Sequence, residues 1–144
     1  GRWGTNYVYG TWSALEALNA GGVPHAAPAA QRAARWLLAH QRADGGWGED
    51  GASYWAGNPR GEGAVSTASQ TAWALLGLMA AGKGDHPAVE RGVDYLLSAR
   101  DAEGLWSEEP FTAVGFPRVF YLKYHGYAAS FPVWALARYR ALRA

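Results

Sequence analysis

Residues 116–127 hold five aromatic side chains in twelve positions, so this stretch is the first candidate for binding chemistry. Four of the rings, Phe116, Phe120, Tyr124 and Tyr127, follow one another at spacings of four, four and three. On an ideal helix these spacings place the rings within roughly 80° of arc. Pro117 suits the first turn of such a helix, because its missing N–H needs no partner there. The pattern therefore predicts a helix with one aromatic face.

This aromatic face has two interpretations, and the sequence leaves both open. It can fill a close-packed core, as the apolar face of an amphipathic helix does. It can also line a surface for an apolar or cationic ligand, since no aliphatic residue interrupts the four positions. Lys123 lies at the edge of the same face. Its amine must reach out to water, or the segment is not a regular helix.

The composition is that of a foldable, aromatic-rich chain with few charges. Its 144 residues suggest one domain, its net charge is +1, and it contains eight Trp and no Cys. Nothing in this balance indicates nucleic acid, and the lack of cysteine excludes disulfides and cysteine-ligated metal. The four histidines, His25, His40, His86 and His125, show no metal-ligand spacing, and we identify no cofactor. The apolar run 72–81 is too short to span a bilayer.

An internal repeat supplies the elements that must position the aromatic residues. Trp12, Trp73 and Trp134 are equally spaced along the chain, and each precedes a short apolar run. Two further segments recur at nearly the same interval: 32–38 matches 91–97, and 41–47 matches 100–106. The repeating unit is therefore a helix, a short loop, a second helix and a Gly-Trp turn.

The local signals predict an all-helical chain. We predict helices over residues 11–20, 28–40, 67–81 and 87–99, and a last helix after Pro132. We predict no sheet, although strands of two or three residues within 3–9 remain open. Helical hairpins that repeat at such an interval stack into a solenoid or close into an α/α toroid. Few units are present, and Gly1 opens on a motif-like segment without Met, so we expect a piece of a longer chain.

Several blocks of the sequence resemble a known family. The segment Gln41-x3-Gly45-x-Trp47 resembles the QW motif of triterpene cyclases, and Arg100, Gly104 and Trp106 form a second, altered copy. Residues 1–12, 66–75 and 115–127 resemble blocks of the bacterial squalene–hopene cyclases. The resemblance covers almost the whole chain. It implies that residues 1–144 form the C-terminal part of the catalytic α/α barrel (α6–α6 barrel) domain, with the QW motifs in a structural role.

The resemblance implies acid-initiated cyclisation of squalene to hopene or hopanol through carbocations. The family's acid lies in an Asp-x-Asp-Asp motif, which these residues lack, so we expect the acid upstream and no activity from the 144 residues alone. We interpret Glu49-Asp50 as a solvated loop. The expected catalytic support is Tyr9, through a hydrogen bond to the acid cluster. The expected substrate-lining residues are Trp3, Phe116, Phe120, Tyr124 and Tyr127.

The resemblance also implies where the protein acts and what it meets. It implies peripheral, monotopic association with the cytoplasmic side of a bacterial membrane and leaves a homodimer open. Two alternatives remain: a class II cyclase of another polyprene, and a non-catalytic helical-repeat binding fragment. Zinc prenyltransferases, thioester proteins and glycosidases also use helical toroids, but the chain lacks Cys and a convincing carboxylate pair.

Overall fold

The computed structural model describes residues 3–58 and 60–144. Within this part of the chain the helices and strands are α1 (Asn6–Ala20), α2 (Pro28–Ala39), α3 (Ala68–Ala80), α4 (Pro87–Ser98), β1 (Ala113–Phe116), β2 (Phe120–Leu122) and α5 (His125–Arg143). A short 3-10 helix, Gly51–Tyr54, lies between α2 and α3. The helices predicted outside residues 116–127 are all present, and a small hairpin is added to them.

Helices α1, α3 and α5 form one layer, with α3 between the other two. Every residue of α3 is buried, which its sequence permits because residues 68–80 carry no charge. Helix α2 packs on α1 and α3, and α4 packs on α3. Both covering helices are amphipathic, with buried side chains such as Leu37 and Leu96 on the inner face. The repeated residues Trp12, Trp73 and Trp134 lie on the three helices of the first layer, as their equal spacing predicts.

The helix boundaries show where local signals suffice. Thr67 caps α3, and its hydroxyl accepts a hydrogen bond from the Gln70 N–H at 3.3 Å. The Gln70 side chain does not complete a capping box, because its amide bonds the backbone of Glu49 instead. Helix α5 starts at His125, eight residues before its predicted start, and Pro132 lies inside it. A proline there removes one helical N–H and crowds the carbonyl of Ala128, four residues earlier, so it weakens the helix locally.

The predicted helix over residues 116–127 is wrong, and so is the predicted absence of a sheet. Strands β1 and β2 pair antiparallel, with Val114 opposite Tyr121 and Phe116 opposite Phe120. The Val119 N–H closes the turn on the Phe116 carbonyl at 3.0 Å. Pro117 therefore occupies a turn, for which its fixed φ is equally suited. The aromatic spacing of four coincides with the helical period, but the chain between the first two rings reverses.

Candidate functional site

Three of the residues expected to meet substrate form one apolar pocket. Trp3, at the entry to α1, faces Phe116 and Phe120 of the hairpin across a cavity of about 240 Å³. The remaining lining residues are Val114, Gly115 and Leu122, so no ionisable side chain lines it. The Phe116 and Phe120 ring centroids lie 5.6 Å apart, at an interplanar angle of 64°. All three expected rings are substantially exposed, by 60%, 51% and 43%.

Gly115 allows the Phe120 ring to lie across the hairpin. A Cβ at position 115 would lie 2.1 Å from Cε2 of Phe120, a distance that real side chains do not adopt. The ring could not keep this place if residue 115 carried any side chain. The glycine of β1 therefore sets the shape of the pocket.

The other expected site residues lie in a second aromatic group, between α1, α3 and α5. Tyr127 meets the Trp73 ring edge-on at 5.7 Å, and Tyr9 meets the same ring at 5.0 Å. Tyr124 lies 4.9 Å from Tyr127. Burial raises the pKa of Tyr127, with smaller contributions from Tyr9 and Tyr124. The single stripe predicted from the spacing is thus two groups, and Tyr124 and Tyr127 do not line the pocket of Phe116 and Phe120.

Tyr9 is held by packing against its own chain. A Cβ at Gly4 would lie 2.1 Å from Cδ2 of the Tyr9 ring, so the ring covers the backbone that leads into α1. The ring also meets Trp12 edge-on at 5.3 Å. The indole N–H groups of Trp12 and Trp73 are buried without a hydrogen-bond partner among the described residues. The support of an acid by Tyr9 stays a prediction.

Glu49 is buried, so its interpretation as part of a solvated loop is wrong. The residue is 1% exposed, and its carboxylate accepts hydrogen bonds from the N–H groups of Tyr7 and Val8, each at 2.9 Å. The Ser53 hydroxyl donates a further bond at 2.6 Å. Burial raises the pKa of Glu49, while these donors act in the opposite direction. The carboxylate thus caps the N-terminus of α1, where the helix dipole favours negative charge.

Glu108 occupies the equivalent position in the second unit. Its carboxylate accepts from the N–H and the hydroxyl of Ser69, at 3.1 Å and 2.8 Å, and so caps α3. It also accepts from the Thr112 hydroxyl at 3.3 Å. The sequence contains a signal for this pair, because each glutamate follows the Trp of a Gly-Trp turn by two positions.

The Gly-Trp turns share one geometry and differ in their neighbours. The indole N–H of Trp47 donates to the Leu37 carbonyl at 2.7 Å, and that of Trp106 to the Leu96 carbonyl at 2.8 Å. In the first turn Gln41 also donates to the Ala88 carbonyl at 2.8 Å, which joins the end of α2 to the start of α4.

Among the described residues, the second turn makes no such joint. Arg100 stands at the position of Gln41, and its side chain bonds the Leu97 carbonyl of the preceding helix at 3.1 Å. Leu105 replaces Gly46 and is exposed, whereas a Cβ at Gly46 would meet that of Ser66 at 2.6 Å. The second turn therefore has room for leucine at this position, which the described residues leave largely exposed.

Comparison with known proteins decides the family. A model of the squalene–hopene cyclase C-terminal domain matches residues 1–141. The chain belongs to this family. The resemblance carried by the QW motif and the three blocks is thereby confirmed, as is the helical fold class of an α/α toroid component.

The chain aligns along nearly its whole length with longer cyclases. It is 62% identical to the squalene–hopene cyclase of Bradyrhizobium diazoefficiens over 99% of the chain. It is 57% identical to that of Zymomonas mobilis over 99% of the chain, and 48% identical to the dammaradiene synthase of Dryopteris crassirhizoma over 97%. It spans 22% of the length of each of these relatives. Among the described residues, no helix has the length and apolarity needed to cross a bilayer.

Proposed function

We propose that this chain supplies the cation-stabilising wall of a squalene–hopene cyclase. In the proposed reaction an acid protonates a terminal alkene of squalene, and ring closures proceed through carbocations to a pentacyclic triterpene. The observation that carries the proposal is the apolar pocket of Trp3, Phe116 and Phe120. It combines exposed aromatic rings with a lining free of nucleophiles.

The chemistry of such a pocket follows from its lining. A carbocation in an apolar cavity is not stabilised by water, and water that enters would capture it. An aromatic face attracts a cation by about 0.5–2 kcal/mol without reacting with it. Rings that are fixed before the charge develops lower the barrier of each closure without reorganising. The T-shaped pair Phe116–Phe120 and the indole of Trp3 provide such faces on two sides of the cavity.

The proton donor is proposed to lie outside these 144 residues. The sequence has no Asp-x-Asp-Asp motif, and both buried glutamates cap helices: Glu49 binds the N-terminus of α1, and Glu108 that of α3. Neither lines the aromatic pocket. Tyr9 is proposed to support the acid. Tyr124 and Tyr127 belong to the same second aromatic group as Tyr9.

The nature of the substrate also suggests where the protein acts. Squalene is a hydrocarbon that partitions into lipid, so the proposed enzyme takes it up through peripheral, monotopic contact with the cytoplasmic side of a bacterial membrane. This membrane contact is proposed from the family resemblance. The resemblance also leaves open whether the protein is a monomer or a homodimer. Sedimentation of the purified protein with and without lipid vesicles measures both properties.

The direct test is incubation of the purified full-length protein with squalene and analysis of the products by gas chromatography with mass spectrometry. We expect pentacyclic hopene or hopanol. The 144 residues alone should give no cyclised product, and product from them would place the acid within this chain. A folded full-length protein that leaves squalene unchanged would contradict the proposal. Conversion of a different polyprene instead would favour the alternative, a class II cyclase with another substrate.

A further inference from the structure

The two buried glutamates reach far along the chain to the helices they cap. Glu49 accepts from N–H groups 41 and 42 residues before it, and Glu108 accepts from Ser69, 39 residues before it. An ordinary cap comes from the residue that precedes the helix. At α1 that residue is Thr5, and its side chain makes no capping bond. A cap from a distant segment fixes the position of the helix relative to that segment, as well as ending the helix.

Each cap lies beside one wall of the aromatic pocket. Glu49 holds Tyr7 and Val8 at the first turn of α1, and Trp3 precedes this turn. The Tyr54 hydroxyl accepts a hydrogen bond from the Asn6 N–H at 3.2 Å in the same place. The segment that follows the first Gly-Trp turn therefore anchors the chain that carries the Trp3 wall.

Glu108 lies beside the opposite wall. Its carboxylate accepts from the Thr112 hydroxyl, and β1 starts at the next residue and carries Gly115 and Phe116. The Thr112 carbonyl in turn accepts from the Thr5 N–H at 2.9 Å. A continuous path of hydrogen bonds thus leads from the cap of α3, through Thr112 and Thr5, to the chain that carries Trp3.

We propose that Glu49 and Glu108 are positioning residues for the polyprene reaction, which set the separation of the Trp3 wall from the Phe116–Phe120 wall. This inference rests on the proposed function. Neither carboxylate lines the pocket, so both act through the backbone that they hold. A small displacement of either wall moves an aromatic face away from the atom where charge develops, and misplacement of about 1 Å can reduce a rate about a hundredfold.

The first test measures wall mobility without substrate. Amide hydrogen exchange is followed in the full-length protein for peptides covering residues 3–8 and 113–122. Glu108→Ala should speed exchange in the 113–122 peptide about tenfold, and Glu49→Ala should do so in the 3–8 peptide. Glu109→Ala is the matched control, because this neighbouring carboxylate is exposed. Unchanged exchange in both glutamate variants would overturn the proposal.

The second test measures products from squalene, normalised to folded enzyme. Glu49→Ala and Glu108→Ala should lower kcat about tenfold and increase incompletely cyclised products, with KM little changed. Glu49→Gln and Glu108→Gln keep the shape and one acceptor oxygen, so both should restore the normal products. Alanine variants that melt at lower temperature but yield normal products would show that the caps only stabilise the fold, which refutes positioning.

Two further arms keep the outcomes distinct. Where an alanine variant does not fold, Thr112→Val replaces it, since this substitution removes one hydroxyl and leaves the Glu108 bonds to Ser69 in place. Thr112→Val should shift the products and Thr112→Ser should not, and identical products from the two would count against positioning. If the wild-type protein converts no squalene while the exchange results are as expected, the proposed function fails and the positioning of the two walls stands.

Discussion

Phe120 is the residue at which a cation-stabilising role and a packing role differ most clearly. Phe120→Ala removes one ring from the pocket and leaves Trp3 and Phe116 in place. The ring is 43% exposed, so its loss reduces folding stability by only about 1–2 kcal/mol. The loss of its edge-to-face contact with Phe116 lies within that range. Folded enzyme should therefore remain available for product analysis.

The effect on chemistry should be of similar size, but it acts on a single step of the reaction. The lost ring face contributes about 1–2 kcal/mol to one cationic transition state, which slows that closure roughly five- to thirty-fold. Earlier steps are unaffected, so initiation continues and partly cyclised intermediates lose a proton or capture water. Phe120→Ala should accumulate these products, and Phe120→Tyr should restore part of the complete cyclisation.

The assay is gas chromatography of squalene products from the full-length variants, normalised to folded enzyme. Phe111→Ala is the matched control, because Phe111 is exposed to a similar extent, 54%, and lines a different pocket with Trp55 and Tyr121. An unchanged product profile for Phe120→Ala would refute the cation-stabilising role. The same shift in Phe111→Ala would assign the effect to general destabilisation.

Three further predictions follow from burial, close approach and charge. Trp47→Ala should cost about 3–5 kcal/mol of stability, since the ring of Trp47 is fully buried, and Trp106→Ala should cost roughly half of that, since Trp106 is partly buried. Both variants should give normal products. Equal melting temperatures for the two variants would contradict this, and a product change at unaltered stability would argue against a structural role. Gly115→Ala should displace the Phe120 ring and reproduce the products of Phe120→Ala, so normal products would show that the ring keeps its place. Burial raises the pKa of Glu49 above 4.5, so the folded state binds this proton more tightly than the unfolded state. The melting temperature of the wild type minus that of Glu49→Gln should therefore fall as pH rises from about 4.5, and a rise would show the opposite shift.

The elements that the sequence predicts correctly are those with local signals. Residues 28–40, 67–81 and 87–99 combine a proline or threonine start with a helical pattern and a glycine or polar stop, and α2, α3 and α4 agree to within one residue at each end. Helix α1 starts five residues before its prediction. The bonds that hold this extra turn come from Glu49, far later in the chain, and no local rule contains them.

The hairpin shows how a period can mislead. Phe116 and Phe120 are four residues apart both on a helical turn and across a tight strand reversal, so spacing alone does not distinguish the two. Arg118, between them, adopts a φ of 65°, a left-handed conformation that spacing does not reveal. Exposed aromatic side chains can serve an apolar ligand in either backbone. Trp3, Phe116 and Phe120 therefore meet in one pocket although the predicted element of the last two is wrong.

The first Gly-Trp turn gives the repeat a direction. A Cβ at Gly45 would lie 2.6 Å from the Arg91 carbonyl oxygen, because the start of α4 presses on the turn, whereas one at Gly104 would have open space among the described residues. The joint is thus formed by the Gly-Trp turn of one unit and the helix start of the next. These two surfaces differ, so the contact is head-to-tail. Units connected in this way add with a single polarity, and each joint depends only on its two neighbours. Gain or loss of a unit would leave the other joints intact only in an open array; in a closed α/α toroid it would also break the contact that closes the ring, so the number of units is fixed.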